Sequence, residues 1–296
     1  MKITVIEVNN NIIGIKERLN DIEEQIKRLN TDFVILPELS TCGYIPNKDV
    51  WKYAEDNGNI TKKWAIEMAK KYHIYIGAGF VELKDNDIYN SYLIANKDGI
   101  LGVVRKNEPE SNIFKRGKFN HIIKTPLGNI AISICFDSHK KDFYDAIKNE
   151  KISMIIMPHA WPTNKKNEKK DIKKIINLVK SYYESFNCQV IFANAYGNFS
   201  KMKGITGLLM NPRKYKLNGN SIIYNGKINF KNLTMDCEIT PKKRIKDITF
   251  YDNWIDKGSF IFRKIILPLD IKRGIKLYNK SKKNNFKKKY QKVFFL

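Results

Sequence analysis

The hydrophobic and polar positions along the chain follow two periods, one typical of buried strands and the other of amphipathic helices. Residues 2–8 are nearly continuous in β-branched side chains, as in parallel strands that are covered on both faces. Residues 12–29 carry an aliphatic side chain at every third or fourth position, which predicts an amphipathic helix. Residues 32–36 predict a second buried strand, which ends at Pro37.

The remainder of the first 250 residues repeats this pattern, with more strands than helices. Further helices are predicted over residues 60–72, 142–149 and 171–186. Further strands are predicted over residues 73–82, 89–96, 101–105, 121–125, 130–134, 154–157, 190–194, 204–210 and 221–224. Strand meanders that alternate with long helices favour two mixed sheets packed face to face with helices outside. The sequence therefore predicts an α/β fold, a four-layer α-β-β-α sandwich.

Charge separates the end of the chain from the rest. The 296 residues carry a formal net charge of +24, and residues 251–296 alone hold 13 Lys and Arg against 3 Asp. We therefore predict a main domain over residues 1–250 and a basic C-terminal extension over residues 251–296. Aromatic and aliphatic residues alternate with the cations, which favours packing against a second copy of the chain or contact with a membrane surface. The extension lacks an RNA-binding signature, so nucleic acid is not the expected partner.

Absent patterns exclude several classes of protein. No apolar stretch approaches the roughly 20 residues that cross a bilayer, and the N-terminus does not resemble a signal peptide. The four cysteines are far apart and form no CxxC pair, which fits a reducing cytoplasm better than a disulfide framework. GxSxG, HExxH, GxxxxGK and GxGxxG motifs are missing, and the four histidines are scattered. We therefore expect a cytoplasmic protein without a dedicated metal site.

Three polar residues lie at the ends of predicted apolar strands. Glu38 follows Leu36-Pro37, Lys106 follows a predicted strand, and Cys135 closes another. Each alone has an ordinary structural interpretation, but α/β sheets place their sites at the carboxyl ends of strands. A free thiol has a pKa of about 8.5 and needs a nearby base or cation to attack at neutral pH. Glu38 is then the candidate proton acceptor, and Lys106 the cation that stabilises an oxyanion.

The same segments resemble the nitrilase (carbon–nitrogen hydrolase) superfamily. Residues 36–44, Leu-Pro-Glu-Leu-Ser-Thr-Cys-Gly-Tyr, are similar to its P-E-L-x-x-x-G-Y block, and residues 104–106, Val-Arg-Lys, to its Y-R-K block. Residues 134–137, Ile-Cys-Phe-Asp, are similar to the block around its nucleophile. Residues 194–197 and 219–223 resemble its N-x-x-G and G-x-S-x-I stretches. The resemblance runs in family order from residue 1 to about residue 240.

The resemblance implies a role for each matching residue. Glu38 is the general base, Lys106 the oxyanion cation and Cys135 the nucleophile of a reaction through a thioester intermediate. The backbone N–H of Phe136 joins Lys106 in the oxyanion hole. No metal or organic cofactor is implied.

A second glutamate and three pocket residues complete the predicted site. The family frame E-x-x-x-F-x-x-G fits Glu110 better than Glu108. Tyr44, His159 and Trp161 are the predicted substrate-binding side chains, together with Phe136.

We therefore predict a thiol hydrolase that cleaves a non-peptide carbon–nitrogen bond in a small amide, carbamoyl compound or nitrile. By resemblance it is a homodimer or larger. Residues 138–142 lack the Arg and the Pro-Glu that follow the nucleophile in many relatives, which predicts an unusual substrate. Two alternatives remain: an amide synthase or acyltransferase that uses the same Cys-Glu-Lys site, and a basic binding module without activity.

Overall fold

The structure, a computed structural model, describes residues 1–118, 120–198, 216–229, 233–248 and 265–293. The strand predicted over residues 204–210 lies outside these ranges. The helices are α1 (Ile15–Ile26), α2 (Asn59–Tyr72), α3 (Lys141–Ile147), α4 (Glu168–Phe186) and α5 (Leu267–Val293), with 3₁₀ turns at Lys48–Tyr53 and Cys135–His139.

The strands form two large sheets and one small one. The first sheet holds β1 (Lys2–Val5), β2 (Phe33–Ile35), β3 (Glu55–Asp56), β4 (Tyr75–Lys84), β5 (Asp87–Asn96), β6 (Gly99–Arg105) and β16 (Thr234–Asp236). The second holds β7 (Ile122–Thr125), β8 (Gly128–Ile132), β9 (Ile152–His159), β11 (Gln189–Asn194), β14 (Ile222–Tyr224) and β15 (Ile228–Asn229). The small sheet holds β10 (Pro162–Thr163), β12 (Tyr196–Asn198) and β13 (Lys216–Asn218).

Both large sheets have a parallel centre and antiparallel edges. The first runs in the order β16-β1-β2-β4-β5-β6, with β1, β2 and β4 parallel and β3 added beside β4. The second runs in the order β15-β14-β11-β9-β8-β7, with β8, β9 and β11 parallel. The prediction of two mixed sheets is confirmed. Because the central strands are parallel, their carboxyl ends collect at one edge of each sheet.

The sheets pack face to face, and helices cover both outer faces. The core between the sheets is built from fully buried side chains of both: Ile3, Phe33, Tyr92, Ile132, Ile156 and Ile191. Helices α1 and α2 cover the first sheet through Ile22, Ile26 and Trp64. Helices α3 and α4 cover the second sheet through Phe143, Val179 and Phe186. Burying each aliphatic or phenylalanine side chain of this kind contributes about 1.5–3 kcal/mol. The four predicted layers are present.

Element boundaries differ from the prediction where the backbone turns into the left-handed region. Helix α1 begins at Ile15, not at residue 12, because Gly14 precedes it with φ 102°. His73, predicted to start a strand, instead ends α2 in a left-handed conformation with φ 56°, so that β4 begins at Tyr75. Edge strands such as β16 were not predicted, because three residues are too few to show a period. β16 pairs antiparallel with β1.

Helix α5 is the described part of the basic extension. Tyr278 is buried against the rest of the molecule, whereas Leu269 and Ile275 are exposed. No helix in the described ranges has both the length and the apolarity that crossing a bilayer requires. The division into residues 1–250 and 251–296, and the membrane-surface or oligomer contact of the extension, stay predictions.

Candidate active site

Glu38 sits where β2 leaves the first sheet. Its loop lies against Gly79 of β4, where an added Cβ would come within 2.4 Å of Leu39 N and 2.8 Å of Pro37 O. Only glycine allows this approach. Leu39 has φ 49°, in the left-handed region, and turns the chain directly after Glu38. The loop therefore holds a carboxylate at the carboxyl edge of the sheet, as predicted.

The Glu38 carboxylate is buried and bound on both oxygens. Its Oε1 accepts hydrogen bonds from Lys106 Nζ at 2.7 Å and from Asn90 Nδ2 at 2.8 Å. Its Oε2 accepts a hydrogen bond from the backbone N–H of Ala160 at 3.1 Å. The side chains of Lys106 and Glu38 are 1% and 0% exposed. Three elements far apart in sequence thus fix the orientation of one carboxylate.

Glu110 is the second carboxylate of this cluster. Both of its oxygens lie 3.4 Å from Lys106 Nζ, and Oε1 accepts a hydrogen bond from Tyr44 Oη at 2.7 Å. Glu108 instead pairs with Arg116 and lies 4.0 Å from Lys140, away from Lys106. The geometry therefore favours Glu110 over Glu108, as the sequence frame did.

Cys135 follows β8 and begins a 3₁₀ turn with φ 50°, a left-handed conformation that is uncommon for a residue with a side chain. It is partly exposed, whereas the other three cysteines are buried. The groups that act electrostatically on its thiol are Glu38, Lys106 and Glu110, and the backbone N–H of Ala160, which donates to Glu38, also favours the thiolate. The structure therefore brings the predicted nucleophile to the cluster of Glu38, Lys106 and Glu110.

The electrostatics of the cluster keep the thiol neutral at rest. Burial, together with Glu38, raises the pKa of Cys135 well above its usual value, although Lys106 acts in the opposite direction. Burial also raises the pKa of Glu38 above its usual value, although Lys106 opposes this too. A neutral thiol beside a carboxylate of raised pKa is the arrangement of a nucleophile with its general base.

The cation and the second carboxylate remain charged. Burial favours the neutral amine of Lys106, but Glu110 and Glu38 outweigh it and raise its pKa well above the usual value. Burial favours the neutral acid of Glu110, but Lys106 and the Tyr44 hydroxyl outweigh it and lower its pKa. A permanently charged ammonium group therefore lies between the two carboxylates.

Asp137 ties the turn of Cys135 to the loop that follows Lys106. Its two carboxylate oxygens accept the backbone N–H groups of Asn107 at 3.0 Å and Glu108 at 2.7 Å. Burial raises the pKa of Asp137 to about 7. The sequence analysis quoted this residue in the Ile-Cys-Phe-Asp block but gave it no role. A polar residue two positions after a candidate nucleophile is the signal that could have found it.

The predicted pocket residues occupy different depths. Trp161 and Phe136 are partly exposed beside the ring of His139. His159 is fully buried, with its Nδ1 3.0 Å from Met157 O and its Nε2 3.3 Å from Ser138 Oγ. The structure therefore places His159 in the interior, against Ser138 of the turn that begins at Cys135, and its role in substrate binding stays a prediction. Apolar burial of an imidazole lowers its pKa, as it does here, and keeps His159 neutral.

Sequence reasoning missed the donors that orient Glu38. Asn90 lies in β5 and is 1% exposed, a polar side chain buried in the middle of a strand. A polar residue in the middle of a predicted strand could have been proposed as a site residue from the sequence alone. Ala160 acts through its backbone N–H, which no side-chain pattern can reveal. Within the described ranges, no group of three His, Cys, Asp or Glu residues is arranged to hold a metal ion.

Comparison with known proteins assigns the family. The family model described as carbon–nitrogen hydrolase matches residues 14–230. The chain is 39% identical to 2-oxoglutaramate amidase of Bacillus subtilis over 80 residues, 26% of this chain and 29% of that protein. It is 27% identical to a nitrilase of Pyrococcus abyssi over 153 residues, 46% of this chain and 56% of that protein. These two alignments thus span well under two thirds of the relatives' lengths.

A solved structure shares the fold. The crystal structure of a carbon–nitrogen hydrolase from Helicobacter pylori superposes with a TM-score of 0.63 and 19% identity, over 77% of this chain and 83% of that one. The chain belongs to the carbon–nitrogen hydrolase family, the nitrilase superfamily that the sequence blocks resemble. Its relatives include amidases and a nitrilase.

Proposed function

We propose that the protein is a thiol amidohydrolase in which Cys135 attacks the carbon of a small non-peptide amide, carbamoyl group or nitrile. The observation that carries this proposal is the shared position of Glu38, Lys106 and Cys135. Lys106 Nζ lies 2.7 Å from Glu38 Oε1, and the charges of Glu38 and Lys106 both act on the Cys135 thiol. A nucleophile, a base and a cation at one point are the groups that acyl transfer through a thioester needs.

In the proposed mechanism, the thiol proton of Cys135 moves to Glu38 as sulfur bonds to the carbonyl carbon. The negative charge that develops on the carbonyl oxygen is stabilised by Lys106 Nζ and the backbone N–H of Phe136. The carbon–nitrogen bond then breaks, and the leaving nitrogen takes the proton from Glu38. A thioester on Cys135 remains.

Hydrolysis of the thioester completes the cycle. Glu38 takes a proton from water as the hydroxyl oxygen bonds to the thioester carbon, and the carbon–sulfur bond breaks. The thiolate regains its proton from Glu38, and the carboxylic acid leaves. Glu110, bound to Lys106 and Tyr44, keeps the ammonium group in place through both steps and presents a carboxylate to the substrate's N–H.

An amide is our first choice of substrate. The relative that shares 39% identity is named an amidase, whereas the nitrilase shares 27%. Trp161 and Phe136, both partly exposed, are proposed to line the acyl side of the pocket, and His159 is proposed to support the nucleophile turn from below.

The test is an ammonia-release screen over small amides, N-carbamoyl compounds and nitriles. We expect the wild-type protein to release ammonia from at least one amide, and the Cys135→Ala variant to lose at least 10³-fold in kcat because the nucleophile is gone. Cys188→Ala is the matched control, since Cys188 is buried in the core beneath α3 and α4, and Lys242 is the charge that acts on its thiol. Full activity of Cys135→Ala would exclude a thioester mechanism. Product formation only with an added amine would instead indicate an acyltransferase.

A further inference from the structure

Helix α5 packs against the part of the molecule that borders the candidate active site. Tyr278 is 4% exposed, and its ring meets the edge of Trp51 with centroids 5.7 Å apart. Lys48 Nζ, beside this contact, donates hydrogen bonds to Leu277 O at 3.4 Å and to Ser281 Oγ at 2.5 Å. The helix is thus joined to the 3₁₀ turn at Lys48–Tyr53 by both aromatic and polar contacts.

A buried carboxylate strengthens the same contact. Asp87 Oδ1 accepts hydrogen bonds from Tyr278 Oη at 3.0 Å and from Lys282 Nζ at 2.5 Å. Asp87 also pairs with Lys115. Tyr278 Oη in turn accepts the backbone N–H of Ile88 at 3.0 Å. Two side chains of α5 and one of the loop after Glu110 therefore converge on a single carboxylate.

The loop after Glu110 lies between these contacts. The backbone N–H groups of Ile113 and Phe114 donate to Glu110 O at 2.8 Å and 3.0 Å, which closes a tight turn on Glu110 itself. Trp51 Nε1 donates to Ile113 O at 2.7 Å. Trp51, which α5 contacts through Tyr278, is therefore also bound to the turn that carries Glu110.

Gly274 of α5 lies directly against this turn. A Cβ at residue 274 would lie 2.1 Å from Ser111 Oγ and 3.1 Å from the backbone nitrogen of Asn112. Ser111 is the residue directly after Glu110. A glycine inside a helix costs stability relative to alanine. Here an added Cβ would require the Ser111 hydroxyl to rotate and the backbone at Asn112 to shift by a few tenths of an ångström.

We propose that helix α5 is a positioning element for Glu110, and that Gly274 and Tyr278 are its positioning residues. The helix holds the turn of residues 110–114 from outside, so that the Glu110 carboxylate stays against Lys106 and Tyr44. This proposal rests on the proposed function for the role of Glu110 in turnover. It gives the basic extension a function within its own chain.

The first test measures the turn directly and needs no substrate. Hydrogen–deuterium exchange followed by mass spectrometry reports the amides of residues 110–117. We expect Gly274→Ala to speed their exchange about tenfold, and Arg273→Ala, at the exposed neighbouring position, to leave it unchanged. In a Ser111→Gly background the effect of Gly274→Ala should fall to less than threefold, because the nearest clash is removed. Unchanged exchange in Gly274→Ala, or an equal effect in both backgrounds, would overturn the proposal.

The second test uses turnover on the amide found by the screen. Gly274→Ala should lower kcat/KM about tenfold, since a small displacement of a positioned group slows the reaction. The Tm of this variant should equal or exceed that of wild type, because alanine favours the helix. Tyr278→Phe, which keeps the ring on Trp51 and loses the hydroxyl, should lower kcat/KM less. If Gly274→Ala alters hydrogen exchange in residues 110–117 but the wild-type protein turns over no amide, the proposed function is wrong and the positioning role of α5 stands. Normal turnover with altered exchange would overturn the link between α5 and Glu110.

Discussion

A single buried pair, Glu38 with Lys106, dominates the site. Removing two charges from water usually costs about as much as their attraction returns, so a buried ion pair is a poor device for stability. Here the pair lies beside a partly exposed cysteine in a strained backbone conformation and beside a second carboxylate. Perturbed pKa values and backbone strain cluster at functional sites, which favours chemistry over stability as the role of this pair.

The pH dependence of turnover tests the role of Glu38 as base. Glu38 must be ionised to accept the thiol proton, and burial raises its pKa, so kcat/KM should fall as the pH drops through a value above the usual one for glutamate. Asn90→Ala removes a donor to the ionised form and should move this acid limb about 1 pH unit higher, since a hydrogen bond to a charge contributes roughly 1.5 kcal/mol.

The control for Asn90→Ala is Asn96→Ala in the same strand. Asn96 binds the backbone of the turn between β5 and β6, not Glu38. In Asn96→Ala, the acid limb of the pH profile of kcat/KM should coincide with that of wild type. A limb that does not move in Asn90→Ala would mean that another group titrates in the profile.

At the scale of elements, local sequence patterns predict where the side chains of the site lie, whereas contacts between residues distant in sequence fix their orientation. The positions of Glu38, Lys106 and Cys135 were predictable because each lies at the end of a predicted strand. Their donors were not, because Asn90 and Ala160 reach Glu38 from 52 and 122 residues away. The packing of α5 was missed for the same reason, since charge dominates its sequence and the few residues that make its contacts show no period.

Helix α1 supports the site through Arg18, which is 1% exposed. Its guanidinium donates to Ser40 O, Asn9 O and Ile12 O at 2.8–2.9 Å, and burial lowers its pKa to about 10, so it remains charged. This side chain is a hydrogen-bond donor to three backbone carbonyls. One of them belongs to Ser40, two residues after Glu38.

Arg18→Ala should therefore lower the free energy of unfolding by about 3 kcal/mol, because buried carbonyls lose their donors. Urea unfolding monitored by circular dichroism measures the change. Arg28→Ala, at an exposed position just after the same helix, should stay within about 0.5 kcal/mol of wild type. Equal effects of the two substitutions would show that Arg18 does not anchor the loop.

At the scale of the whole molecule, the four-layer architecture was predictable because both sheets and the amphipathic helices have strong hydrophobic periods. The family followed from three short blocks in a fixed order, and residues 14–230 match it. A dimer or larger assembly and a cytoplasmic location stay predictions. The net charge of +24 carries no information on the fold, but it does bear on partners, since a positive surface attracts anions.

The central claim is that one sulfur carries the substrate's acyl group between two half-reactions. Intact-protein mass spectrometry of the wild-type protein, quenched in acid during turnover of the amide from the screen, measures this most directly. The account predicts an adduct with the mass of the substrate's acyl group, which peptide mapping places on Cys135 and which hydroxylamine removes. Turnover without an adduct at any quench time, together with retained activity of Cys135→Ala, would contradict the account.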